Sequence, residues 1–177
     1  MCISNAKPVK LTEPMKVYKV FLTATFGDGS KEIHSPYRLF KTWRCGVNYS
    51  APDAPRNKTL SQILREIYKT NTDGYEIHGG AFHSFIKKED AEKSVKILAG
   101  NEGYIEDIGK AFIDTNTTNV DIVIGECTVP EDSEYVFEGD FEQAVEAKNH
   151  SASVVEMRSV ASSNLILDRI LENKDND

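Results

Sequence analysis

Cysteine is scarce in these 177 residues: Cys2, Cys45 and Cys127 are the full set. Their odd number and wide spacing exclude a disulfide framework and fit no zinc-ligand pattern. Reduced thiols in a cytosol match that count. Long apolar runs are missing too. No segment approaches the ~20 residues that cross a bilayer as a helix. The opening stretch, 1–14, lacks the apolar core of a signal peptide. The expected address is the cytosol, with no membrane contact. Positive charge is also short: 21 Lys and Arg stand against 28 Asp and Glu, a formal charge of −7. Nucleic-acid backbones are held by clustered cations that release counterions, so direct nucleic-acid binding is not expected. Phosphate loop, dinucleotide fingerprint, zinc motif and nucleophile elbow are all absent. That counts against the common NTPase, dehydrogenase and hydrolase classes.

What is present is an ordinary globular composition, 40% hydrophobic and 28% charged, at a length that fits one domain. We expect one globular domain over 1–177, with 1–14 an irregular lead-in and 172–177 a frayed tail. Residues 16–26 are rich in β-branched and aromatic types and predict a buried strand. A Gly-Asp-Gly-Ser turn follows, and 31–34 returns as a hairpin partner. Residues 37–47, around the single tryptophan, predict another strand. Thr59 caps a helix whose apolar positions Leu60, Ile63, Leu64 and Ile67 share one face.

After Gly79-Gly80, a short strand spans 81–86 and a helix spans 87–98, with Ala91, Val95 and Leu98 inward. Acids at its start suit the helix dipole, and Gly100 is expected to supply a left-handed terminus. The clearest strand is 121–129, stopped by Pro130. Further strands are expected at 134–137 and 154–160. The polar stretch 141–153 reads as an excursion, and 165–171 fits strand or helix equally. Strands outnumber helices, which sit between them. The expected class is α+β, with one mixed or mostly antiparallel sheet and two or three helices.

Chemistry is thin. In the strand 81–86, His83 shares a face with Ala81 and Phe85, where its titration can be tuned; the plainer reading is a structural histidine bonded to a neighbouring strand. Arg38, Trp43 and Arg44 form a local cationic and aromatic strip suited to stacking on a base with a phosphate nearby. Aromatics on strands are also the common core residues. Cys2, exposed by loss of Met1, would place a thiol beside a free amine, as in an N-terminal nucleophile. Class II glutamine amidotransferases begin this way, but with glycine next, where this chain has Ile3. His34 and His78 lie isolated near turns with no carboxylate placed beside them, and His150 reads as solvated within the polar excursion. The acids from Glu131 to Asp140 lack calcium-loop spacing and read as a solvated loop.

Several phrases carry a resemblance. The strand Val17-Tyr18-Lys19-Val20-Phe21 is followed by Ser35-Pro36-Tyr37 and by Trp43 with Gly46. Then come Gly80-Ala81-Phe82-His83-Ser84-Phe85, a helix with Asp90-Ala91, the strand from Val123 to Pro130, and Ala161-Ser162-Ser163. In this order the chain resembles small uncharacterised proteins of bacteriophages and prophages. That resemblance implies a mobile-element origin and no activity.

Lys19 with Phe82-His83-Ser84 also resembles the NAD-cradling positions of ADP-ribosyltransferase-like folds, with Lys19 where an Arg or His is expected and Glu138 or Glu156 as the late acid. It implies NAD as cofactor and His83, Glu138 and Glu156 as catalytic residues. The leading expectation is different: a phage-encoded, acidic, cytosolic binding protein without cofactor or catalysis. Such a protein occludes a host defence protein or sequesters a host nucleotide signal, with Arg38, Trp43, Arg44 and His83 at the contact. A structural phage component is the third possibility.

Overall fold

A computed structural model describes residues 9–36, 42–50, 82–113, 115–146 and 152–171, with side chains described outside 136–157. In chain order the strands are β1 (Val9–Lys10), β2 (Met15–Phe26), β3 (Lys31–His34), β4 (Thr42–Trp43), β5 (Asn48–Ser50) and β6 (Phe82–Phe85). Two helices follow, α1 (Lys88–Gly100) and α2 (Glu102–Phe112). The chain then returns to strands: β7 (Thr117–Val129), β8 (Glu134–Glu146), β9 (Ala152–Ser162) and β10 (Asn164–Leu171).

All ten strands of the described residues join one sheet, in the order β1-β8-β9-β6-β2-β7-β10-β5, with β3 on β2 and β4 on β3. Every pairing among the described residues is antiparallel. This corrects the expected α+β class. The molecule is dominated by a curled antiparallel sheet, and its two described helices are an accessory layer. The excess of sheet arises where polarity hid strands. Residues 134–137 begin a strand that runs on to Glu146, and β9 starts at Ala152, so most of the supposed excursion is β structure. Mutual pairing from Asp140↔Arg158 to Glu146↔Ala152 supplies the backbone partners there.

The spine is β2 against β7, in register from Met15↔Val129 to Thr25↔Asn119. Alternation along β2 splits its residues between two layers. Val17 and Phe21 join Trp43, Phe82, Cys127, Leu165 and Leu167 in an aromatic core. Val20, Leu22 and Ala24 are buried on the other face, the same one as His34 through the Leu22↔His34 pair. Helix α1 begins with Glu89 and Asp90 in its first turn, where acids meet the dipole favourably, and it buries Ala91 and Leu98. Gly100 does not take a left-handed conformation. The chain instead turns through Asn101, whose Oδ1 accepts from Tyr104 N at 3.0 Å and caps α2. Helix α2 is fastened to the β3–β4 side by Tyr104 Oη donating to Pro36 O at 3.0 Å and by an edge contact of Phe112 with His34.

One glycine is dictated by packing. A Cβ on Gly125 would lie 2.5 Å from Phe21 Cε2 and 2.6 Å from Leu167 Cδ1. Two fully buried core side chains cross over that backbone. The lead-in 1–14 is only partly irregular, since β1 pairs with β8 through Val9↔Tyr135. The Thr59 helix, Tyr37, Gly79-Gly80 and the tail lie outside the described residues.

Candidate functional site at a fork in the sheet

The sheet divides alongside β2. At Tyr18 its neighbour is β6, through the Tyr18↔Phe85 pair. From Leu22 onward its neighbour on that side is β3. Between them Lys19, Val20 and Phe21 keep β7 on one side. On the other side no strand pairs with them among the described residues. A main-chain edge left this way must find other partners or water. Here the Lys19 ammonium reaches across: Nζ donates to His83 O at 2.9 Å. One step along the antiparallel register from Tyr18↔Phe85 places Lys19 opposite Ser84.

Rings close the fork on the core side. Trp43 is 3% exposed. It meets Phe21 edge-on at 5.3 Å, Phe82 edge-on at 5.4 Å and Tyr49 at 4.6 Å between centroids. Its Nε1 donates to Ser35 Oγ at 2.8 Å, so the indole N–H is satisfied while the ring is enclosed. Ser84, also on the core side, is 1% exposed, and its Oγ has no hydrogen-bond partner among the described residues. An unpaired buried hydroxyl costs about 1–3 kcal/mol, which marks the position.

The residues singled out in the sequence therefore separate. Trp43 and the segment Phe82-His83-Ser84 do meet at the fork. The His83 side chain alternates with Phe82 and Ser84 and so leaves on the opposite face from the Trp43 ring. Trp43 offers no open ring face for stacking. Arg44 is exposed, and its backbone N donates to Tyr49 Oη at 2.9 Å. Arg38 lies outside the described residues.

Lys19 and His83, named from the transferase-like resemblance, are adjacent through the Lys19–His83 O bond. The two late acids are not symmetric about them. Glu138 falls where the β8–β9 register shifts between Phe137 and Asp140. Glu156 pairs with Glu142, beyond the Ser159–Ser162 stretch of β9 that borders β6.

Three features escaped the sequence reading. His34 is buried with Nε2 3.0 Å from Glu32 Oε2; their two-residue spacing on a strand was the available signal. Glu126 is held by Lys16 at 3.1 Å and Arg169 at 3.3 Å. Those hydrogen bonds, Lys16 first, draw its carboxyl below the usual value. Cys127 is fully enclosed, and burial pushes its thiol up to about 12. It is a protonated core residue at neutral pH, not a nucleophile. Among the described residues no group of three His, Cys, Asp or Glu side chains is arranged to hold a metal ion, and no helix is long and apolar enough to cross a membrane.

No family model, curated protein or solved structure matches the chain.

Proposed function

We propose that this protein works by binding rather than by catalysis, sequestering a small host-cell ligand of the nucleotide class at the fork beside β2. In the phage setting implied by the sequence resemblance, such capture silences a host defence signal. The observation that carries this reading is the convergence of a cation, an unpaired buried hydroxyl and a ring cluster at the break in pairing alongside β2. Ligand sites of this kind combine an apolar lining with a few fixed polar groups.

The test is native mass spectrometry of the purified protein, alone and with NAD and a panel of linear and cyclic nucleotides. An added nucleotide mass with the nucleotide intact supports the reading. Conversion of NAD would replace it with the transferase-like enzyme. A clean protein mass across the panel sinks both small-molecule readings.

A second reading, occlusion of a host protein, is favoured by the formal charge of −7. An acidic surface competes for basic patches through charge complementarity. It predicts a salt-sensitive complex recovered from host lysate.

A further inference from the structure

We propose that the outward face of α2 binds a second copy of this chain, the two α2 helices crossing antiparallel at Gly109. This surface is separate from the fork beside β2 and needs no ligand there.

Helix α2 uses one side within its own chain. Ile108 is its buried residue. Tyr104 and Phe112, four residues before and after it, fasten the helix to Pro36 and His34. With the inner side fixed, the outer side is held in a set direction. There Ile105, Gly109 and Ile113 follow at intervals of four and form one row along the helix. Ile113 keeps helical backbone angles at the C-terminal end. Ile105 is 45% exposed and Ile113 is 75% exposed.

Gly109 is the odd member of that row. Glycine inside a helix is unfavourable, because it gives up more backbone freedom than any other residue. The chain's own packing does not require it: a Cβ at Gly109 would meet nothing within 4 Å among the described residues, in contrast to Gly125. A glycine in an exposed row does permit the close approach of another helix, since side chains at the crossing set the distance between axes.

The row is complementary to itself. Gly109 stands four residues from each isoleucine, so a two-fold axis at Gly109 lays Ile105 of each copy on Ile113 of the other. The charges agree with this arrangement. Beside the row, Glu106 and Lys110 form an exposed pair at 2.8 Å. An antiparallel crossing brings Lys110 of each copy next to Glu106 of the other. The contact is therefore locally neutral, although the whole chain carries −7. A parallel pair would instead lay Glu106 on Glu106. Eleven helical residues offer little area. The contact falls below the ~1,200 Å² of a standard interface, so a dissociation constant of tens to hundreds of micromolar is expected.

The test is sedimentation equilibrium of the full chain from micromolar to millimolar concentration. The expected result is a monomer that becomes a dimer across that range. Ile113→Lys should weaken the dimer at least about tenfold. Gly109→Gln should weaken it as much, yet raise the melting temperature of the dilute monomer by about 2 °C, because glutamine is the better helix former. Glu106→Lys and Lys110→Glu should each weaken the dimer several-fold. Mixed in equal amounts, those two variants should form a heterodimer at least as tight as the wild-type dimer, because every lysine then meets a glutamate.

A monomer up to millimolar concentration overturns the proposal. So does a dimer indifferent to Ile113→Lys, which places the contact elsewhere. A Gly109→Gln chain that melts lower than the wild type shows that its own fold needs the glycine, and also counts against it. No gain on mixing the two charge variants confines the Glu106–Lys110 pair to its own helix and excludes the antiparallel crossing. All four positions are exposed, so the variants keep the fold that the test requires.

Discussion

The two faces of β2 are built from different materials. Toward the helices, Val20, Leu22 and Ala24 are aliphatic and are covered by α1, whose Ala91 and Leu98 are buried. Toward the core, Val17 and Phe21 meet rings, and Lys19 sits between them. Aliphatic packing of the first kind is tolerant, because side chains of similar volume can exchange. The second face is specified by crossings that leave no slack: Phe21 and Leu167 over Gly125, and Trp43 against three rings. Stability is common to both faces; the ring face carries Lys19 and the unpaired Ser84 hydroxyl, whereas the buried polar residue on the helix face, His34, lies 3.0 Å from Glu32.

Breaking the ring face should have the largest effect. Phe21→Ala removes a fully buried ring that touches Trp43 and Gly125. A loss of about 3–5 kcal/mol is expected, read by urea unfolding. The control is Val20→Ala on the helix face, which should cost clearly less. Similar losses at both positions would show that the faces are not distinct. Next is Gly125→Ala. Its new Cβ has no free direction, since both contacted side chains are themselves enclosed. A loss of about 1–3 kcal/mol is expected from overpacking. A silent Gly125→Ala would show that Phe21 and Leu167 can part.

Alkali probes the same face. The Cys127 thiol is pushed up to about 12, from an ordinary value of 9.0, chiefly by burial. The folded protein therefore keeps the proton after the unfolded chain has released it. The associated stability is fully present below pH 9 and is lost as pH rises toward 12, by at most about 1.4 kcal/mol per pH unit. Cys127→Ala should flatten that alkaline slope relative to the wild type; an unchanged slope would assign it to other groups.

Ser84→Ala sharpens the comparison in the opposite sense. It removes a hydroxyl that is buried and unpaired, so a gain of about 1 kcal/mol is expected without ligand. A loss instead would show that the hydroxyl is bonded in solution.

How far the sequence foretold these faces depends on what set each element. Strand β2 was legible because its β-branched and aromatic run is bounded by Pro14 and the Gly27-Asp28-Gly29 turn. The structure gives Met15–Phe26, closed by Gly29 N donating to Phe26 O and by Asp28 bonding Ser30. Helix α1 and strand β7 were legible for similar reasons. The long partners β8 and β9 were legible only in part: strands were expected at 134–137 and 154–160, inside both of them. The polar stretch between resembles a loop when read alone, and mutual pairing from Asp140↔Arg158 to Glu146↔Ala152 makes most of it strand. That underweighting of strand produced the α+β expectation.

At the site, Trp43 and the Phe82-His83-Ser84 phrase were recognised as worth attention. Their relation was not recoverable, because it depends on β6 and β3 sharing one neighbour at different heights. Lys19 was noticed through resemblance alone. Its meeting with His83 O is a contact between residues 64 positions apart, beyond any local pattern.

The smallest expected effect belongs to the helix-bearing face, past the end of its cover. Glu126 is only 14% exposed, between Lys16 and Arg169, whose side chains are 59% and 66% exposed. Hydrogen bonds from Lys16 and then Arg169 lower its carboxyl from 4.5. The ionised form is thus favoured by folding. Its contribution is present above pH 4.5 and disappears as pH falls through the lowered folded value. Because both cations are largely solvated, screening limits the contribution to a few tenths of a kcal/mol, about 1 at most. Glu126→Gln should therefore cost little at pH 7, and the cost should shrink both in acid and in ~1 M salt. A loss as large as that of Phe21→Ala, or one insensitive to salt, would mean that Glu126 anchors the sheet, and the division between a tolerant helix face and an exacting ring face would fail.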